Sequence, residues 1–239
     1  MTDDEDPDDY QPQPPSAEQV ARRALILSAV SCRGILELDP DRERAERFWD
    51  RVMKWWQALD LEADLEPEEA ALLASRFGTA RQQDAVDESW RSEALGVIAW
   101  ALGQADVISH DRQVDPSAVA NSLGFLEDHT VLESPRLRSP DELNAYLDVA
   151  FTVHWRLREF SLNPGAMDFA EFCRTAWFGP LSLKGVRLLE GDLALGDLPI
   201  SRAPTELVQT AMSIAQERHQ AANWLVDASQ PLSETDTST

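Results

Sequence analysis

The sequence predicts a mainly α protein: a single helical-bundle-like domain with one small β-hairpin before the C-terminal helix. Three observations carry that expectation. Apolar residues recur at offsets of three and four through most of the chain. Helix starts are marked by caps and prolines at Ser16 with Gln19, at Pro67, at Pro116, and at Ser139 with Pro140 and Glu142. Only residues 179–201 change character, with Gly185, Gly191, Gly196 and Pro199 breaking up Val186, Leu188, Leu193, Leu195 and Ile200. The expected organisation is a disordered acidic tail over 1–15, one helical domain over 16–228 and a mobile polar tail over 229–239.

Residues 1–15 hold six acids, no base and four prolines, a composition that cannot bury a core. The Ser16/Gln19 capping box opens a helix through Val20, Ala24 and Leu27, and Gly34 reads as its C-terminal stop. Residues 41–60 put Phe48, Val52, Trp55 and Leu59 on one stripe of a second helix. Pro67, with Glu66, Glu68 and Glu69 at the positive helix end, starts a third that runs to Phe77 and Gly78.

A central helix over 84–102 contains SWRSEALGVIAWALG (89–103), the longest nearly uncharged helical run of the chain. Trp90, Glu93, Val97 and Trp100 share one stripe of it, and Gly103 ends it. Pro116 opens a short segment to Leu123, and residues 128–138 read as loop. The helix after Ser139 runs to Phe160 with Leu143, Leu147, His154 and Arg158 on its stripe. A turn at 163–165 and a short aromatic-rich helix over 168–177 follow, then the hairpin with its turn at 190–192. Pro204 starts the last helix, which reaches Asp227. Leu207, Ala211, Ile214 and Arg218 form one edge of it, and Val208, Met212, Ala215 and His219 the next.

The formal net charge is −22, and setting aside the eight acids of the two tails leaves −14 on the body. Such a body disfavours nucleic acid or an anionic membrane as partner, because phosphate affinity comes from clustered Lys and Arg. It suits a basic protein, and it also serves solubility by itself. Cys32 and Cys173 are lone cysteines without a CxxC, which points away from a disulfide scaffold or a cysteine zinc site. The N-terminus lacks a basic n-region, and the apolar run over 94–103 falls short of the roughly 20 residues that span a bilayer. The expected location is the cytoplasm.

Three long helices each set polar groups on a core stripe: Glu93 on the central helix, His154 on the helix after Ser139, and Arg218 with His219 on the last. A buried charge needs partners, and the simplest solution is that these groups meet one another, with Arg91, Asp148, Arg156 and Glu217 close enough to join. Two readings follow. One is a network that pins three helices in register. The other is a ligand or acid–base site with a carboxylate, an imidazole and a guanidinium together. The four histidines show no HxxxH or HExxH spacing, and no GxGxxG, P-loop or GxSxG is present, so neither metal nor cofactor is expected. His110–Asp111 and Asp128–His129 read as solvated loop pairs, and Asp192 as a turn residue that bonds its own backbone or takes a ligand.

Three blocks together resemble a bacterial family, the domain of unknown function numbered 4272. They are WRSEALGVIAWALG (90–103), RSPDELNAYLDVAFTVHWRLRE (138–159), and LLEGDLALGD (188–197) followed by ERHQAANWL (217–225). The resemblance implies a mainly helical domain with a hairpin before the last helix, reaching from the first helix to Val226. It brings no activity, ligand or catalytic residue. Its signature polar positions match Arg91, Glu93, His154, Asp192, Arg218, His219 and Asn223.

Two functions stay open on the sequence. One is a non-catalytic binding protein, such as an adaptor, a regulator or an immunity-type protein that takes a basic partner. The other is an enzyme or small-ligand binder built on the Glu93, His154, Arg218 and His219 group.

Overall fold

A computed structural model of the chain describes residues 11–127 and 133–239. Eight α-helices appear among them: α1 (Ala17–Glu37), α2 (Arg42–Trp56), α3 (Pro67–Ala74), α4 (Gln82–Ala101), α5 (Pro116–Ser122), α6 (Pro140–Leu162), α7 (Phe169–Thr175) and α8 (Thr205–Val226). The mainly α class and the place of the β element before the last helix are as the sequence predicts. The Asp128–His129 pair and most of the 1–15 tail lie outside the described residues.

Helix starts follow the local signals. Ser16 accepts from the Gln19 N–H while Gln19 reaches back to Ser16, and Ser139 and Glu142 repeat the arrangement at α6. Pro67, Pro116 and Pro140 each occupy a first helical turn.

Two helix ends depart from expectation. Gly34 does not stop α1, which continues to Glu37. Instead it is the crossing point with α4: a Cβ there would lie 2.5 Å from the Ser89 nitrogen and 2.7 Å from the Ala85 oxygen. Only a residue without a side chain lets the two backbones approach so closely. Helix α3 stops at Ala74, short of Gly78. The cause is a buried ion pair, Arg33–Glu37. Arg33 donates to the Ser75 and Arg76 carbonyls and Glu37 accepts from the Gly78 N–H, which holds residues 75–78 out of the helix. Arg33 also lies over the Trp49 and Phe77 rings, 4.9 and 5.1 Å from their centroids.

The expected hairpin is a three-stranded antiparallel meander of β1 (Leu188–Leu189), β2 (Asp192–Leu195) and β3 (Leu198–Pro199). Leu188 pairs with Leu193, and Ala194 with Pro199. Its first turn holds Glu190 and Gly191 at φ 54° and 83°, both left-handed, as a two-residue type I′ turn requires.

The helices stack in the order α1, α4, α8, α6, with α2 on the far side of α1. There are two apolar cores. One gathers α1, α2, α4 and α5 with Ala221, Trp224 and Leu225 of α8. The other gathers Val153 and Leu157 of α6, Phe169 and Cys173 of α7, Leu193 and Leu195 of β2, and Ala211 and Ala215 of α8. Helix α8 therefore joins the two, its N-terminal half in one and its C-terminal half in the other.

Both described tail segments lie against the body. Gln13 donates to the Asp227 carboxylate and accepts from the Ala228 N–H. Leu232 inserts into the first core at 2% exposure, while the Glu66 carboxylate accepts from the Leu232 and Ser233 N–H groups. A polar composition gave no hint of that anchor. No helix among the described residues is long and apolar enough to cross a membrane.

Candidate functional site

Glu93 lies on the face of α4 turned to α8 and is 1% exposed. Its Oε2 meets Arg218 Nε at 2.9 Å and Nη2 at 2.8 Å, and its Oε1 accepts from the Val114 N–H at 3.0 Å. Arg218 also donates to the carbonyls of Ile108, Ser109 and Arg112. The pair thus clamps the α4–α5 connection onto both helices. Gly96 makes room for that connection, since a Cβ there would lie 2.7 Å from Val114. The Arg218 N–H groups are thus all directed at protein acceptors.

His154 does not join this pair. Its Nδ1 is 3.0 Å from His219 Nδ1, and the rings meet edge to face with Phe151 packed on His219. Asn223 settles the proton positions. Its amide nitrogen contacts both the Asp236 carbonyl, which can only accept, and His219 Nε2. His219 Nε2 is therefore an acceptor, His219 Nδ1–H donates to His154, and His154 carries its proton on Nε2. Burial pushes both imidazoles down to about 4, and the His154 shift is deepened by His219 itself. Two neutral rings of this kind are a poor acid–base pair at neutral pH.

Asp192 opens β2 and is bound from three sides. Arg156 donates from Nε and Nη2 to its two oxygens at 2.8 and 2.7 Å, and the N–H groups of Met167 and Leu193 complete the set. Arg156 further donates to the Gly165 carbonyl. The backbone bond to Asp192 comes from the following residue, Leu193, and Arg156 and the Met167 N–H take the other acceptor directions. This pair fastens α6, the 163–167 turn and the sheet together.

Arg91 stands apart from the other candidates, on a polar cleft of about 830 Å³ between α3, α4 and α8. It donates to Glu217 at 3.4 Å and to Gln220 at 3.1 Å. Five carboxylates line the cleft (Glu68, Asp84, Asp87, Glu88 and Glu217), against two guanidinium groups, Arg81 and Arg91. Arg81 is already paired with Asp84 at 2.6 Å. The Glu88 carboxylate makes no hydrogen bond or ion-pair contact among the described residues. Burial, with Glu69, Glu217 and Glu68 nearby, pushes it up to about 7 against the pull of Arg91. Burial likewise raises Glu217.

The seven predicted residues thus fall into four places: Glu93 with Arg218, His154 with His219 and Asn223, Asp192 with Arg156, and Arg91 with Glu217. All are partnered. Glu88, Glu68 and Asp87 were missed. Their signal was present as a helix face of repeated acids, but such a face reads as solvated until the fold closes a wall over it. No group of three His, Cys, Asp or Glu side chains among the described residues is placed to hold a metal ion.

A family model described as "Domain of unknown function (DUF4272)" matches residues 6–168. It takes in the first two resemblance blocks, while Asp192, Arg218, His219 and Asn223 lie beyond its end. No curated protein and no solved structure matches the chain.

Proposed function

The chain belongs to the DUF4272 family, and we propose that it is a non-catalytic binding protein whose α3–α4–α8 cleft receives a basic segment of a partner protein. The observation that carries the reading is the charge balance of that cleft: five carboxylates to two guanidinium groups that are themselves paired, with Glu88 in ion-pair contact with neither and feeling Arg91 only at longer range. A Lys or Arg side chain beside Glu88 supplies the missing charge in a partly desolvated place, where it is worth more than at an open surface. The net charge of −22 adds long-range steering for the same partner.

A cytosolic setting agrees with this. Both cysteines are free thiols, and burial pushes Cys32 up to about 12 and Cys173 up to about 11, so neither is a reactive thiolate.

The test is the binding of a labelled arginine-rich peptide, read by fluorescence anisotropy at low and high salt. Glu88→Gln is expected to weaken binding by roughly tenfold, while Asp50→Asn on the exposed face of α2 leaves it nearly unchanged. A cation beside Glu88 drives off its proton, so affinity should rise as pH goes from 6 to 8 through the Glu88 value of about 7. Equal weakening by the two variants would show mere bulk attraction and sink the reading.

A further inference from the structure

A second cavity, sharing no lining residue with the acidic cleft, lies between α4, α6 and α8 and is closed by residues 107–110 and 184–186. Its volume is about 570 Å³, within the range of small-molecule sites. The walls are apolar, with Val107, Val149, Val153 and Ile214 among them, and Trp100 and Tyr146 form one side with ring centroids 4.6 Å apart.

Apart from Glu142, the polar side chains of this cavity are basic or carry a hydroxyl: Ser109, His110, Arg138, Tyr146, Lys184 and Arg218. Lys184 is exposed and makes no ion pair among the described residues, and Lys54 is the only other lysine in the chain. Arg138 lies over the Trp100 ring at 5.0 Å and is held by the Trp100 carbonyl through Nε. Glu142 is the single carboxylate of the lining, and it is occupied by the Ser139 N–H and hydroxyl and by Arg138. The Tyr146 hydroxyl makes no hydrogen bond among the described residues, and burial pushes it up to about 12, so it stays a donor well above neutral pH. Its oxygen opens onto the cavity and can donate to a group that enters. In a chain of net charge −22, a lining that holds the unpaired Lys184, with Arg138 balanced by Glu142, runs against the surrounding field and marks a local preference for anions.

We propose that this cavity binds a small organic carboxylate: an apolar body against Trp100, Tyr146 and the α6 and α8 valine and isoleucine side chains, and a carboxylate head at Lys184 and Arg138. The Tyr146 hydroxyl donates to the ligand along its length. The site is independent of the acidic cleft and of any basic protein partner.

The experiment titrates the full chain by calorimetry with naphthalene-2-carboxylate and with decanoate, and with naphthalene-2-carboxamide as the uncharged control. Binding of either carboxylate at least roughly tenfold tighter than the amide supports the proposal, and the better of the two tells an aryl from an alkyl body. Lys184→Glu, at an exposed position, should weaken carboxylate binding by roughly tenfold or more, whereas Lys54→Glu on α2 should not. Ala145→Trp, which fills the cavity, should abolish it, with circular dichroism showing the fold retained. No heat from either carboxylate at about 1 mM, amide binding equal to the acid, or an unchanged affinity in Lys184→Glu each overturns the proposal.

Discussion

Glu93 and Arg218, separated by 125 positions in the chain, form a buried ion pair at 2.8 Å that joins α4 to α8 and gathers the backbone between α4 and α5 around it. Its worth lies in mutual dependence. Each group alone would be an uncompensated charge in an apolar setting.

Glu93→Leu should therefore lower unfolding stability by about 3–5 kcal/mol. Adding Arg218→Met should recover part of that loss, because no guanidinium is then left unpaired. Recovery stays incomplete, since the Ile108, Ser109 and Arg112 carbonyls lose their donor. Urea unfolding of the two single variants and the double variant measures the coupling. A coupling near zero would mean that the pair does not hold the connection.

The His154–His219 contact makes stability depend on acid. Both rings are held near 4 in the folded chain, below their ordinary 6.5. A proton therefore binds the unfolded chain more tightly, so stability is full above pH 6.5 and is lost as pH falls toward 4. The lowering corresponds to about 3 kcal/mol per ring as an upper bound, because the two rings titrate together. His154→Leu should flatten the loss between pH 6.5 and 4 relative to the native chain. Chemical-denaturation midpoints at pH 7 and pH 4.5 give the comparison.

What was legible in the sequence was local. Ser16, Pro67, Ser139 and Pro140 announce helix starts because a cap or a proline acts within one turn. The burial of Glu93, His154, Arg218 and His219 was legible too, from their place on apolar stripes. Their pairing was not. It depends on how α8 is rotated against α4 and α6, which sends Arg218 to Glu93 and the adjacent His219 to His154. Arg33 and Arg23 are buried in ion pairs with Glu37 and Glu69, but arginine is so common along α1 and α2 that neither stood out. The third strand, Leu198–Pro199, is too short to carry a period.

Gly34 provides a test in which propensity and packing predict opposite signs. In an exposed helix interior, Gly→Ala stabilises by up to about 1 kcal/mol. Here the added Cβ would meet backbone atoms of Ser89 and Ala85 below 3 Å, and backbone cannot turn aside as a side chain can. Gly34→Ala should therefore destabilise by about 1–3 kcal/mol through forced separation of α1 and α4. A rise in melting temperature would mean that the crossing is looser than the structure has it.

The C-terminal segment makes the last case. Leu232 is buried in the core shared by α1, α2 and α4, and Glu66 at the start of α3 receives the N–H groups of Leu232 and Ser233. Farther on, Asp236 fixes Asn223, which fixes the proton on His219. Anchor and tautomer thus rest on the same stretch. Leu232→Ala should cost about 2–3 kcal/mol by cavity formation. Truncation after Pro231 should cost more, because it also frees the Glu66 carboxylate. It should also change the ring-nitrogen NMR shifts of His219, which loses its fixed tautomer when Asn223 is released. If truncation left both the melting temperature and those shifts untouched, the segment would hold nothing, and the orientation of the histidine pair would have to come from the helices alone.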